Sequence, residues 1–403
     1  MKYSKDEVIQ YVREEDVKFI RLTFCDVFGK QKNIAIMPEE LPRAFEYGIS
    51  FDASAIAGFG DEARSDLFLH PEPETLMPLP WRPEHGRVVQ MFSSIAYPDG
   101  TAFLCDTRHL LKQAVAEAEK AGLTFTFGPE QEFYLFNLDE NGKPTRIPCD
   151  EAGYMDIAPE DRGENIRREI CLTLEQMGIR PESSHHEEGP GQNEIDFRFA
   201  DALLAADQAI TFQRVVKTVA YRNGMAADFS PKPLADKPGN GFHINISVRP
   251  NSDDAVFSHM MAGILQNVRA MTAFLNPSDA SFLRLGSHKA PQFISWSAEN
   301  RSQLIRIPAA FGEYRRAELR SPDPTANPYL AFALMIYAGL EGIRNRLPLG
   351  APSDFNLYSA GPETLSALER LPASFKEACR IAESSPFIRS HIPSDVMAIY
   401  SGR

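Results

Sequence analysis

Glu130 and Glu132 lie two residues apart in the aromatic-rich stretch Thr124–Leu138, TFTFGPEQEFYLFNL. Apolar residues alternate at Phe125 and Phe127 and cluster from Phe133 to Phe136, the pattern of a β-strand. Residues two apart on a strand share a face, so both carboxylates point the same way. Side by side in an apolar strand they repel, and burying either one ionised and unpaired is costly. A multivalent cation would relieve both costs. An edge strand with both glutamates in water would avoid them. Both readings stand on this stretch alone.

Other residues could join such a site. The segment HHEEGPGQNEIDF offers Glu187, Glu188 and Glu194; KPLADKPGNGFHINIS offers His243; RRAELRSPDPTANPYL offers Glu318. Carboxylates with one imidazole and no cysteine favour Mg²⁺ or Mn²⁺ over structural zinc. Taken singly, each glutamate reads as a solvated face and the histidine as a satisfied interior group. Only convergence in space makes a site. Gly239 and Gly241, around Asn240, let the backbone approach a ligand and present N–H groups; an ordinary turn into a strand is the other reading. His243, Asn245 and Ser247 share one polar strand face. Arginines gather at Arg284, Arg301, Arg306, Arg315, Arg316 and Arg320, and Glu318 would share a strand face with Arg320. Arg315 fits a surface ion pair. Carboxylates, divalent ions and arginines together are the chemistry of phosphoryl transfer onto an anionic acceptor.

Helical spacing covers 4–15, with Ser4 as N-cap, then 38–48, 106–122, 164–178, 201–224, 258–274 and 327–347. Strand patterns cover 17–27, 33–37, 87–97, 124–138, the end of 180–199, and 241–248. A small-residue loop, ISFDASAIAGFGDEARSD, follows Gly48. The helix around LAFALMIYAGL is apolar enough for the core but too short and too interrupted by charge to span a bilayer. The C-terminal quarter reads as helical, with a capping pattern at Glu363. This mixture predicts an α+β fold with an antiparallel sheet, a small unit at 1–102 and a larger one at 103–403.

The 403 residues are 43% hydrophobic and 24% charged, as in a soluble globular protein. The net charge of −13 argues against nucleic acid or an anionic membrane as partner. No signal-peptide core is present, and five scattered cysteines without a C-x-x-C pair fit free thiols in a reducing cytoplasm.

Taken together, these segments resemble bacterial type I glutamine synthetase over essentially the whole length. KPLADKPGNGFHINIS is similar to that family's ATP-region pattern and GPEQEFYLF to its G-P-E-x-E-F segment. SHHEEGPGQNEIDF, NRSQLIRIP and AELRSPDPTANPYLA are close to further segments, in the same order. The resemblance implies an N-terminal β-grasp domain and a catalytic domain with a curved antiparallel sheet, as in guanido kinases. It implies homo-oligomeric rings, hexamer or dodecamer, with each active site between subunits. The implied reaction is ATP-dependent formation of γ-glutamyl phosphate from L-glutamate, then attack by ammonia, with two or more Mg²⁺ or Mn²⁺ ions. By motif position, Glu132, Glu187 and Glu194 resemble ligands of a first metal, and Glu130, His243 and Glu318 those of a second. Gly239, His243, Arg284, Arg320 and Tyr154 fall on the side of glutamate and the acceptor. Asn245, Ser247 and Arg306 fall on the ATP side. Arg301 and Arg306 resemble the arginines that stabilise the transferring phosphoryl group. Asp52 resembles the aspartate that takes the proton from ammonium.

Four departures from the family pattern stand out. The loop after Phe51-Asp52 reads Ala53-Ser54-Ala55. The flap Arg284–Pro291 is one residue shorter and carries Lys289 where a glutamate is usual. Pro238 replaces an asparagine, and the sequence stops soon after SHIPSDVMAIYSGR, which predicts a hexamer or a loosely joined dodecamer. Lys289 admits three readings: it points away, it marks an organic-amine acceptor as in γ-glutamyl-amine ligases, or it pairs with Asp52 and blocks amination. A non-catalytic nucleotide sensor and a guanidino kinase are the alternatives of other classes. Tyr358, in NLYSAG, resembles a tyrosine that some members adenylylate, although its flanking residues differ.

Overall fold

The computed structural model describes residues 3–402 apart from 61, 82–84, 251–253, 288 and 311, and the side chain of Glu313. The flap residue His288 therefore lies outside the described residues.

Helix α1 (Lys5–Glu14) opens with the expected cap: the Ser4 side chain accepts from the Glu7 N–H, and the Glu7 carboxylate accepts from the Ser4 N–H. Its buried Val8 and Val12 pack on a sheet of β1 (Val17–Cys25), β2 (Gln31–Ile36), β3 (Ile49–Asp52), β4 (Asp66–Pro71), β5 (Met77–Pro78) and β6 (Arg87–Ala96). The strand order is β2-β1-β6-β4-β3, with β5 beside β6 and a parallel β1–β6 pair at the centre. Helix α2 (Leu41–Tyr47) also packs on this unit. The segment after Gly48 is not loop throughout. Phe51 and Leu67 are buried across from each other, so its two ends pair as β3 and β4.

The larger unit is built on a second sheet, ten-stranded: β7 (Thr124–Leu138), β8 (Pro144–Pro148), β9 (Pro181–His186), β10 (Gln192–Phe197), β11 (Ala200–Asp201), β12 (Met225–Asp228), β13 (Phe242–Arg249), β14 (Trp296–Ala298), β15 (Ile305–Ile307) and β16 (Ala317–Leu319). The order β14-β15-β16-β13-β7-β10-β9 puts β7 in the interior, so its glutamates do not face solvent from an edge. Pairing is antiparallel except between β14 and β15.

Helices α3 (Thr107–Lys120), α4 (Glu164–Gln176), α5 (Ala202–Arg222), α6 (Asp254–Leu275), α7 (Asp279–Arg284) and α8 (Pro328–Arg344) surround this sheet. Helix α8 is buried along almost its whole length and packs on α6. Their backbones cross so closely that a Cβ on Gly342 would sit 2.0 Å from the His259 carbonyl oxygen. Among the described residues, no helix is long and apolar enough to cross a membrane. Four helices end the chain: α9 (Pro362–Ser366), α10 (Phe375–Ser384), α11 (Pro386–His391) and α12 (Ser394–Ser401). The expected cap at Glu363 is absent. Gly361 is the N-cap of α9 and has no side chain to accept a bond.

A buried ion-pair network joins the two units. Arg108 on α3 donates to Asp207 on α5 at 2.8 Å and to Glu72, next to β4, at 2.6 Å. Lys112 also pairs with Glu72, and the Tyr329 hydroxyl donates to Asp207 at 2.7 Å. Burial raises the Glu72 carboxyl, but Arg108 and Lys112 outweigh it and hold the group at about 2.

Candidate active site

Sheet register does most of the assembly. One row across the strands reads Arg306, Glu318, Asn245. The next reads His243, Glu130, Asp196, and a third reads Glu132, Glu194, His185. Three interior strands, β13, β7 and β10, thus bring acidic and imidazole groups onto one face.

Glu130, His243 and Glu318 come together with candidate ligand atoms all within 4.8 Å of one another. Glu187 and Glu194 meet in the same way, with His185 as third member, and Glu130 and Glu194 converge with Asp196. Glu132 is held differently. Its Oε2 accepts from the Gly241 N–H at 2.7 Å and from Gln192 Nε2 at 3.2 Å, while Oε1 lies 4.0 Å from His243 Nε2. Glu188 is separate from these groups and pairs with Lys289.

Gly241 thus presents its N–H to a protein carboxylate. A Cβ there would fall 2.7 Å from His243 Nε2 and 2.9 Å from an Arg284 nitrogen. A Cβ on Gly239 would fall 2.3 Å from the Pro231 carbonyl oxygen. Both glycines make room for the side chains of the site. The Pro238 carbonyl accepts from the Tyr134 hydroxyl at 2.7 Å.

The arginines divide. Arg306 donates to Glu318 at 2.7 Å, and Arg320 pairs with the other Glu318 oxygen. The Nε of each is buried and, among the described residues, has no hydrogen-bond partner. Arg284, 3% exposed, donates to the carbonyls of Ser321 and Arg320 at 2.8 and 3.3 Å. Arg316 donates to Asn245 at 2.9 Å, whose amide donates to Glu130 at 2.7 Å. Arg315 pairs with exposed Asp254 at the surface. Arg301 is exposed on the turn before β15, and among the described residues no ion pair joins it to the carboxylates. Asp52 is exposed at the end of β3, where its Oδ1 accepts from the Ser54 N–H and hydroxyl. Among the described residues of one chain, no ion pair joins it to Lys289, which pairs with Glu188.

Ser247 lines a small cavity of about 70 Å³ with Asn245, Glu130, Arg316, Phe199 and Tyr314, and its hydroxyl lies 2.8 Å from that of Thr126. The two rings are edge-to-face at 6.1 Å. A larger cleft of about 1170 Å³, lined by Arg21, Lys30, Arg146 and Lys217 among others, contains none of the candidate residues.

Crowded carboxylates shift one another. Burial and the neighbouring Glu318 push Glu130 up to about 7. Burial also raises Asp196, to about 6, and raises Glu194 strongly, with Asp196, Glu132, Glu130 and Glu187 adding to it. Burial would raise Glu318 too, but Arg320, His243 and Arg306 hold it at about 2. Burial and Arg320 press His243 down to about 4, so its imidazole is neutral at pH 7 and has a free lone pair. A multivalent cation among such crowded, buried carboxylates would relieve their mutual repulsion. The donor set, oxygen-rich with imidazole and no thiolate, fits Mg²⁺ or Mn²⁺.

His185 and Asp196 escaped the sequence reading. The same two-residue spacing that linked Glu130 to Glu132 also links Asp196 to Glu194 and His185 to Glu187. His186, of opposite parity, turns inward to Asp150 at 3.0 Å.

Carboxylates, a neutral imidazole and guanidinium groups with unused donors on one sheet face are the equipment of an enzyme that moves phosphoryl groups between anions. Residues 104–402 match the glutamine synthetase catalytic domain and residues 16–98 its β-grasp domain. A glutamine synthetase of Methanosarcina mazei is 44% identical over 98% of this chain and 92% of its own length. One from Clostridium saccharobutylicum is 41% identical over 99% and 94%. A solved GmaS/ADP complex superposes with a TM-score of 0.88 at 28% identity, over 98% of this chain and 94% of that one. The Plasmodium falciparum glutamine synthetase, at 22% identity and TM-score 0.87 over 100% and 95%, shares the fold. The chain belongs to the glutamine synthetase family, a family of ATP-dependent carbon–nitrogen ligases.

Proposed function

We propose that this ligase activates the γ-carboxylate of L-glutamate with ATP and joins it to ammonia, giving glutamine. The observation that carries the reading is the Arg306–Glu318–Arg320 group. One carboxylate holds two guanidinium groups, each with a buried Nε unpaired among the described residues. Such donors await anionic oxygens. A carboxylate is a poor electrophile, so it must first become an acyl phosphate. Arg320 and Arg284 hold the glutamate, beside Gly239. Arg306, together with Arg301 on the turn before β15, neutralises charge on the transferring phosphoryl group. Asn245 and Ser247 border the nucleotide, with Phe199 and Tyr314 as ring faces. A cation held by Glu130, His243 and Glu318, and a further one by Glu187, Glu194 and Glu132, would supply charge neutralisation for the phosphates. Asp52 lies apart from these residues, at the edge of the N-terminal unit. In this proposal it serves the site of a neighbouring subunit in a ring, accepting the proton that the acceptor nitrogen sheds.

The two units divide at 102/103, close to where the two family matches part. The free cysteines accord with a reducing cytoplasm. A second reading, a small organic amine as acceptor, is favoured by Lys289.

ADP release from ATP, Mg²⁺ and L-glutamate tests both, with ammonium compared against small amines and against no acceptor. Stimulation by ammonium supports the glutamine reading, and stimulation only by an amine supports the second. ATP binding without glutamate-dependent release would overturn both.

A further inference from the structure

Glu188 and Tyr154 converge on one positive charge, with His185 and Glu187 behind them. Lys289 follows α7 with φ 64°, a left-handed conformation that costs a non-glycine residue energy. Its ammonium group pairs with a Glu188 oxygen. It also stands 5.5 Å from the ring centroid of Tyr154. The Tyr154 ring is edge-to-face with His185 at 5.5 Å, and His185 Nε2 lies 3.0 Å from Glu187 Oε1. A carboxylate beside an aromatic face is the chemistry that recognises a small ammonium ion. Here the chain fills that slot itself.

We propose that Lys289 is a tethered occupant of the cation slot, so that the nitrogen acceptor enters as an uncharged amine and not as ammonium. This specificity role rests on the ligase reading above. The charged and titratable groups around Lys289 are Glu188, Glu187, His185 and Tyr154. With Glu188 already neutralised, an incoming ammonium meets a like charge at short range, whereas neutral ammonia does not. The chemistry balances. The ammonia lone pair forms the C–N bond, the acyl C–O bond breaks with its electrons leaving on phosphate, and one N–H proton passes to a base.

The test is the Michaelis constant for total ammonium across pH 7 to 8.5, in the full-length enzyme and in Lys289→Met and Lys289→Arg. In the unmodified enzyme the constant should fall about tenfold per pH unit, following the uncharged fraction. In Lys289→Met the slot is open to ammonium, so the constant at pH 7 should fall about tenfold and the pH slope should flatten. Lys289→Arg keeps the charge and should keep the slope. A pH-independent constant in the unmodified enzyme, or the same slope in Lys289→Met, overturns the proposal. Glutamate-dependent ADP release stimulated by an acceptor separates the two ideas, because its absence in the unmodified enzyme defeats the ligase reading instead. A merely structural lysine would alter stability or kcat without moving the pH slope.

Discussion

Replacing Glu130 with glutamine should stabilise the metal-free protein while destroying its turnover. The Glu130 carboxyl is pushed from 4.5 to about 7 by burial and by Glu318. A raised carboxyl keeps its proton in the fold over a range where the unfolded chain has lost it. Stability therefore falls as pH rises from about 4.5 to about 7. That shift corresponds to about 3 kcal/mol, since one pKa unit is ~1.4 kcal/mol. The side chain is 20% exposed, so screening trims the gain to about 2 kcal/mol. Glutamine keeps an oxygen for the 2.7 Å hydrogen bond from Asn245, so little is lost. The assay is urea unfolding with EDTA at fixed protein concentration, at pH 5 and pH 7.5. Glu130→Gln should gain about 2 kcal/mol at pH 7.5 and much less at pH 5, where the native carboxyl is protonated. Saturating Mn²⁺ at a hundredfold excess over its Kd should stabilise the unmodified protein by about 2.7 kcal/mol and the variant by less. Destabilisation at pH 7.5, an equal effect at both pH values, or equal Mn²⁺ stabilisation would refute the reasoning.

Glu318→Ala should abolish ATP turnover and, by stranding Arg306 and Arg320, cost about 3–5 kcal/mol of stability; normal ADP release would remove Glu318 from the site. Gly241→Ala should weaken Mn²⁺ binding by about tenfold or more, read by calorimetry, because its Cβ would press on His243. Arg108→Met should cost about 3–5 kcal/mol at pH 7 by leaving Glu72 and Asp207 unpaired. The Glu72 contribution is complete above about 4.5 and fades as pH falls toward about 2, so the loss measured by urea unfolding should shrink at pH 3.

Much was legible in the residues alone. Alternation in TFTFGPEQEFYLFNL made a strand and put Glu130 and Glu132 on one face, because side-chain parity on a strand is local. A strongly apolar run marked α8 as a helix of the core. The small N-terminal sheet and larger catalytic sheet were expected from element order and motif resemblance. The segment after Gly48 looked like loop, yet β3 and β4 form there because each supplies the other's hydrogen bonds.

The tertiary structure decided the rest. Sheet order placed β7 between β13 and β10, which settled whether its glutamates face water. Register across those strands, a property of pairing and not of any one segment, set Glu130 beside His243 and Asp196. Sequence named Lys289 as a departure but left its partner open, and its contacts with Glu188 and Tyr154 are a matter of distance. Parity along one strand is written in the chain because neighbouring peptides fix it. Which strands pair, and which charges then lie within a few ångströms, is fixed only when distant segments bury their apolar faces together.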